Sequence, residues 1–196
     1  MPGRETRITI RLDDPEMLSW GIFALGFADG ESSVRINWGD GCIENVTADK
    51  RIGHTYAALG TYTVTLSDTI ASLKCSTMNA SDYFGSPSAL RILAFSTNAA
   101  KLRLIDKWCF YRAENMTEFI CADSGIQEMS TQSFYKCYAL GGSLNLKPVF
   151  SLTNTTFSTC EGITEIVFDM ANYETITSNP SYDVKFGAKN ANIRFE

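Results

Sequence analysis

Histidine is nearly missing from this chain of 196 residues: His54 stands alone. Its scarcity removes most acid–base and metal mechanisms, because imidazole titrates near neutral pH and is the commonest metal ligand. No run of 18 apolar residues occurs, so no membrane-spanning helix is encoded. The stretch from Met1 to Arg7 passes straight into the alternation Ile8-Thr9-Ile10, without the apolar core of a signal peptide. Six cysteines (Cys42, Cys75, Cys109, Cys121, Cys137, Cys160) are too sparse for a disulfide scaffold, and none shows the C-x-x-C spacing of a zinc site. Free, largely buried thiols are expected. Clustered Lys and Arg are absent too, and the net charge is −5, which argues against nucleic acid as a partner and favours solubility. No nucleophile elbow, phosphate-cradling loop or paired-carboxylate cleft can be assembled from the sequence.

What is present begins with Val34-Arg35-Ile36-Asn37-Trp38-Gly39-Asp40-Gly41. An alternating strand running into Gly-Asp-Gly has the residues of a tight hairpin, with glycines free to take positive φ. Further on comes His54-Thr55-Tyr56, then Gly60 as a turn and Thr61 to Leu66 with the period-two alternation of a half-buried strand, Tyr62 included. These segments resemble a polycystic-kidney-disease (PKD) type domain. The resemblance implies an Ig-like β-sandwich over residues 1–72, in which His54 opens a strand as a packed residue. Leu59 stands where that family often has proline, which loosens the turn but keeps Gly60 and Tyr62.

The second half repeats. Phe110, Phe134 and Phe157 are spaced by 24 and 23 residues. Each has an apolar residue five positions earlier (Ile105, Met129, Leu152), a small one three later (Ala113, Cys137, Cys160) and an aliphatic six later (Met116, Leu140, Ile163). This resembles BspA-like leucine-rich repeats, whose unit runs aromatic, small or Cys, then an aliphatic opening a short strand. Stacked units of this length share a core that none can bury alone. A strand at Leu90 to Phe95 supplies an earlier rung, giving four rungs at Leu90, Met116, Leu140 and Ile163. Residues 73–196 are thus expected to form a short solenoid, capped on one side by the PKD-like domain and on the other by Tyr173–Glu196 with its strand-like Asn192-Ile193-Arg194-Phe195. Gly141-Gly142 predicts a bulge or a close backbone neighbour. Ser67 to Ser88 is too apolar for a flexible linker, so a fixed angle between the two parts is expected.

Each candidate for chemistry has a plainer explanation beside it. Cys42 and His54 would need hydrogen-bond contact and an orienting third group to act as a nucleophile pair; a structural His54 is favoured. Asp40 lacks the carboxylate spacing of an EF-hand and fits an Asx turn better than calcium. Asp13-Asp14-Pro15-Glu16 is the densest acidic run, and turn chemistry before a new strand explains it about as well as a metal would. Cys137 and Cys160 occupy equivalent positions of adjacent units, where a ladder of small side chains is favoured over a disulfide. Trp108, Tyr111, Tyr135 and Tyr138 flank the repeat aromatics, and exposed members could stack on sugars or anchor an interface. The sequons at Asn45, Asn79, Asn115 and Asn154 are incidental in a chain rich in Asn, Ser and Thr.

The expected fold class is therefore mainly β, an N-terminal PKD-like sandwich followed by a BspA-type solenoid. No catalytic residue, cofactor or metal is assigned. Outward-facing Thr117, Glu118, Thr164 and Glu165 form the candidate ligand face by strand alternation. Two functions fit: an adhesion module of the bacterial cell surface or extracellular space binding a protein or glycan, or a structural component of a phage virion contacting other virion proteins. Homo-oligomers are compatible with either.

Overall fold

The computed structural model describes residues 3–47, 50–76 and 88–196; the sequon at Asn79 and half of the segment joining the two parts, residues 77–87, lie outside them. The protein is mainly β, and among the described residues there is one short α-helix, α1 (Tyr173–Thr177), and no closed barrel.

Alternation builds the first strands. β1 (Glu5–Leu12) buries Thr6, Ile8, Ile10 and Leu12 and turns Arg7, Thr9 and Arg11 outward. It lies antiparallel to β6 (Gly60–Ser67), where Val64 and Leu66 are buried. β6 also pairs with β3 (Val34–Asn37), which forms a hairpin with β4 (Ile43–Val46). A second layer contains β2 (Ser19–Phe27), flanked antiparallel by β5 (Lys50–Thr55) and β7 (Ile70–Lys74). Trp20, Ile22, Val34, Ile36, Trp38, Val64 and Leu66 lie in one buried cluster with the repeat aromatics.

Both sheets continue into the repeats. β8 (Ile92–Thr97) adds antiparallel to β1, and β10 (Glu118–Ile120) adds parallel to β8, giving the order β10-β8-β1-β6-β3-β4. In the other layer, the two-residue strands β9 (Leu104–Ile105), β11 (Glu128–Met129) and β13 (Ser151–Leu152) extend β7 in parallel. The expected boundary between residues 72 and 73 falls inside β7. A third sheet, all parallel, orders β12 (Gly141–Asn145), β14 (Gly162–Phe168) and β15 (Asn192–Phe195).

The sequence repeat is a spatial register. Leu73, Ile105, Met129 and Leu152 stand in one row across four strands. Phe95, Phe110, Phe134 and Phe157 form a buried column with ring centroids 5.2, 5.1 and 5.1 Å apart. Backbone hydrogen bonds tie successive turns: Phe110 N–H to Ser133 O at 2.7 Å, Phe134 N–H to Thr156 O at 3.0 Å, Phe157 N–H to Phe186 O at 2.9 Å. Arg112, Lys136 and Thr159, each two residues past its aromatic, take left-handed φ of 62°, 60° and 64°.

Several expectations change. Each unit carries two short strands rather than one, because the position five before the aromatic also pairs across units. The first rung is set by Ile92, 24 residues before Met116, with Ala89 as its small residue; Leu90 is half-buried in a 3₁₀ turn (Ser88–Arg91). Gly60 is the first residue of β6, paired with Leu12, and the turn lies before it at 57–58. His54 sits near the end of β5, not at a strand start. The C-terminal segment adds a strand, β15, to the third sheet and supplies Phe186 O to the Phe157 amide. Gly141-Gly142 does both things expected: β12 bulges between Gly142 and Ser143, and a Cβ on Gly141 would lie 2.9 Å from Gly162 O.

Continuous sheets and a shared core imply one unfolding transition. Phe134→Ala should cost about 3–5 kcal/mol and shift tryptophan fluorescence and far-UV circular dichroism together in urea; a fluorescence midpoint left at the wild-type value while dichroism splits would contradict this. Ser133 Oγ is buried without a hydrogen-bond partner among the described residues, whereas Thr156 Oγ1 donates to Met129 O at 3.3 Å and accepts from Thr153 N–H at 3.0 Å. Ser133→Ala should therefore leave stability unchanged or raise it by up to about 1 kcal/mol, while Thr156→Ala lowers it by about 1–2 kcal/mol, as read from denaturation midpoints.

Candidate binding face

The Gly-Asp-Gly turn is built from side-chain caps. Asn37 Oδ1 accepts from Gly39 N–H, and Asp40 Oδ1 from Cys42 N–H, each at 3.0 Å. Gly39 and Gly41 have φ of 87° and 99°, and a Cβ on Gly39 would sit 2.7 Å from Thr63 O. Asp40 Oδ2 meets His54 Nε2 at 2.7 Å. The His54 ring stacks on Trp38 at 5.1 Å and meets the edge of Tyr56, whose ring packs on Tyr62 at 4.3 Å. Trp38 Nε1 donates to Glu44, and the Tyr56 hydroxyl donates to Trp38 O at 3.2 Å. Burial, with the Asp40 charge adding to it, pushes the Tyr56 phenol up.

Asp40 thus caps its own turn and anchors His54. Cys42 brings backbone groups to the turn and no Sγ hydrogen bond to the ring, so nucleophile and base are not assembled. Asp14 plays a comparable part, its Oδ1 accepting from Glu16 N–H at 2.9 Å. Among the described residues, no group of three or more His, Cys, Asp or Glu side chains converges on a point.

The repeat turns are structural at their centre. Phe110, Phe134 and Phe157 are fully buried. Cys137 Sγ donates to Phe110 O at 3.2 Å and Cys160 Sγ to Phe134 O at 2.8 Å, so a thiol at this position satisfies the aromatic carbonyl of the preceding unit. All six cysteines are unpaired. Burial pushes the Cys121 thiol up to about 12 and Cys137 well above its ordinary value, which keeps both protonated and unreactive.

Around these turns, Tyr111 stacks on Tyr135 at 5.0 Å, Trp108 Nε1 donates to Gln132 Oε1 at 3.2 Å, and Tyr138 is exposed. Lys74 and Lys107 each lie 5.0 Å from the Trp108 ring centre, and Lys74 and Arg51 approach Phe23 at 5.2 and 5.9 Å. Burial depresses the Lys74 amine, Asp106 opposes the shift and Lys107 adds to it. Folding thereby gathers basic residues that are scattered along the sequence, and their ammonium and guanidinium groups engage the ring systems.

The broad open surface is the outer side of the first sheet. Strand register sets its rows: Thr63, Thr9, Ala94 and Glu118 in one, Asn37, Thr65, Arg7, Ser96 and Ile120 in the next. Glu118 opens β10 on that side and is exposed, whereas Thr117, also exposed, precedes the strand and has the parity of buried Phe119. Thr164 is exposed and Glu165 half-buried on β14, where Glu165 accepts from the Ser143 hydroxyl at 2.7 Å and pairs with Arg194 at 3.5 Å. The four residues expected to form one ligand face are thus split between two sheets, because β10 ends the first and β12 the third.

Two depressions mark the outer face of the first sheet. One of about 460 Å³ lies among Arg4, Arg7, Arg35, Asn37, Thr65 and Ser67; the other, about 230 Å³, among Arg7, Ser96, Asn98, Ile120 and Asp123. Glu5 lines both, and its carboxylate accepts from the Arg7 guanidinium. Sequence reasoning misses these residues. Alternation in β1 and β6 makes them outward-facing, but only the register puts β3, β6, β1 and β8 side by side.

The Asp40–His54 contact has a pH signature. Desolvation pushes the Asp40 carboxyl up, but hydrogen bonds from His54 and Cys42 N–H, with the His54 charge, outweigh it and hold the group below its ordinary value. A carboxyl depressed in the folded state stabilises above its unfolded pKa, and that stabilisation disappears as pH falls through the folded one. Wild type should therefore exceed Asp40→Asn in stability at about pH 5, and the gap should close toward about pH 2; urea titrations at both pH values check it, and a constant gap would assign the effect to the cap alone.

Set against family models, curated proteins and solved structures, the chain matches none of them.

Proposed function

We propose that this protein is a non-enzymatic binding module of the adhesion type, which takes a glycan or a protein at a bacterial surface. The observation that carries this reading is the outer face of the first sheet. Its rows of threonine, serine, asparagine and arginine side chains run across β3, β6, β1, β8 and β10, and two adjoining depressions open on it. Neighbouring strands lie about 4.8 Å apart, so five strands span about 19 Å, enough for an extended ligand. Side chains of this kind bind through hydrogen bonds to hydroxyls and amides.

In this reading, residues 1–72 are the PKD-like, Ig-type sandwich and residues 73–196 a BspA-like leucine-rich-repeat solenoid. The Asp40-capped Gly39 and Gly41 turn and the unit-to-unit hydrogen bonds at Phe110, Phe134 and Phe157 support it. A second reading, a virion component, is favoured by one spot: exposed Tyr173 packs on Phe195 of β15, which ends the third sheet, and exposed Met170 bonds through its N–H to Glu196 O just beyond that strand. An apolar spot next to an open strand edge suits assembly.

The test is a glycan array probed with the full chain, alongside mass spectrometry of purified particles and washed cell surfaces. Retention of a glycan class is expected, reduced about tenfold or more (over about 1.4 kcal/mol) by Ser96→Trp on the outer face and unchanged by Thr55→Trp on β5. Absence of any glycan or cell-surface binding, with the chain present at fixed stoichiometry in particles, would replace this reading with the virion one.

A further inference from the structure

The chain carries a net charge of −5, yet the larger depression on the outer face is lined by three arginines and one glutamate. Acidity dominates the molecule while this groove is locally basic. A groove lined by one sign of charge focuses its field locally, so an anion in contact with it meets a positive potential although the molecule as a whole is acidic.

The arginines are not equivalent. Glu5 accepts from both Nε and a terminal nitrogen of Arg7, which fixes that guanidinium and neutralises its charge. Arg4 and Arg35 have no side-chain partner among the described residues and are exposed. Between Arg7 on β1 and Arg35 on β3 runs β6, which presents Thr65 in register with Arg7 and Asn37, and Ser67, whose Oγ accepts from Arg35 N–H at 3.0 Å. The groove floor is therefore hydroxyl and amide, and its rim is guanidinium. Two strand spacings separate the backbones of β1 and β3 by about 10 Å, and Arg7 is already engaged by Glu5, which leaves Arg4 and Arg35 as the guanidiniums open to a ligand. A polymer presenting carboxylates and hydroxyls along its length can use these guanidiniums and the hydroxyl floor together. A guanidinium meets a planar carboxylate with two parallel hydrogen bonds, while threonine, serine and asparagine serve sugar hydroxyls.

We propose that the groove among Arg4, Arg7 and Arg35 binds an acidic polysaccharide of the polyuronate type, its carboxylates at Arg35 and Arg4 and its hydroxyls over Thr65, Ser67 and Asn37. This rests on the reading of the outer face as a glycan-binding surface and names its ligand class. Arg7, held by Glu5, positions the groove wall and contributes less direct charge.

The experiment is binding of the full chain to polygalacturonate and to neutral dextran, measured by calorimetry at about 50 mM and about 500 mM salt. Polygalacturonate should bind at least about tenfold more tightly than dextran and weaken several-fold at the higher salt, as expected of exposed charges. Arg35→Ala, with an unchanged melting curve, should lose about tenfold. Arg35→Lys should fall between it and wild type, because the charge stays and the fork is lost. Arg103→Ala removes one exposed positive charge outside the groove and should change affinity less than about twofold. Equal binding of both polymers, or equal losses in Arg35→Ala and Arg103→Ala, would overturn the groove assignment. If neither polymer binds while the array retains a neutral glycan, the groove assignment fails and the outer-face reading stands; if the array retains nothing either, both fail.

Discussion

A repeat unit of about two dozen residues buries one layer of side chains and leaves strand edges on both sides, so its stability depends on a neighbour of matching register. In this protein the first neighbour is not another repeat. β1 and β7, which close the two N-terminal layers, present their free edges to β8 and β9, the first strands of the repeating part. Pairing at those two edges sets the register of everything that follows: Leu73 fixes Ile105, then Met129 and Leu152, while Phe95 starts the column continued by Phe110, Phe134 and Phe157. Each unit must turn tightly enough to return to that register. Arg112, Lys136 and Thr159 do so in left-handed backbone at about 1–2 kcal/mol each, offset by hydrogen bonds from turn to turn and by burial of the aromatic. Glycine would ease the turn but release backbone freedom in the unfolded chain.

Periodicity makes the repeats legible in the amino-acid sequence, because the aromatic, the small residue and the aliphatic are fixed by contacts that recur without change. The small residue is a good example: Cys137 and Cys160 fit a tight space and also give a thiol to the carbonyl of the aromatic one unit back. Two-residue strands such as β9, β11 and β13 offer no alternation to detect, so Ile105, Met129 and Leu152 recur in the sequence as apolar positions without showing that they pair as a second strand of each unit. Leu90 imitates a first rung because it is aliphatic and near the right spacing. The parallel register of Glu118 with Ala94 moves the rung to Ile92, and the spacing to Met116 then agrees with the later units. Gly60 imitates a turn residue for a related reason: its φ is not left-handed, and its place opposite Leu12 makes it a strand residue beside the Tyr62 ring.

The candidate site is legible only in its grammar. Alternation in β1 and β6 marks Arg7, Thr9, Thr63 and Thr65 as outward, but adjacency across strands distant in sequence is what makes a surface. Arg7 and Arg35 come together because β6 returns between β1 and β3 from the far end of the N-terminal half. Glu118 joins the Thr9 row because β8 arrives at β1 from the repeats. The Lys74 and Trp108 cluster has the same origin, with Arg51, Lys74 and Lys107 meeting around two rings although no two basic residues among them are close in the chain.

A rigid polar sheet face is a different kind of functional device from a catalytic cleft. Catalysis needs a few groups placed against a reacting atom and shielded from water; here the buried thiols of Cys137 and Cys160 donate to backbone carbonyls and Asp40 caps its own turn. The outer face instead offers many modest contacts at spacings fixed by strand geometry. Adjacent strands add contact positions about every 4.8 Å, so a polymer with repeated groups can engage several at once, and each contact after the first forms at high effective concentration. Extending the first sheet by β8 and β10 therefore does two things with one set of hydrogen bonds: it pairs the edge left open by β1, and it lengthens the surface proposed to hold an extended ligand.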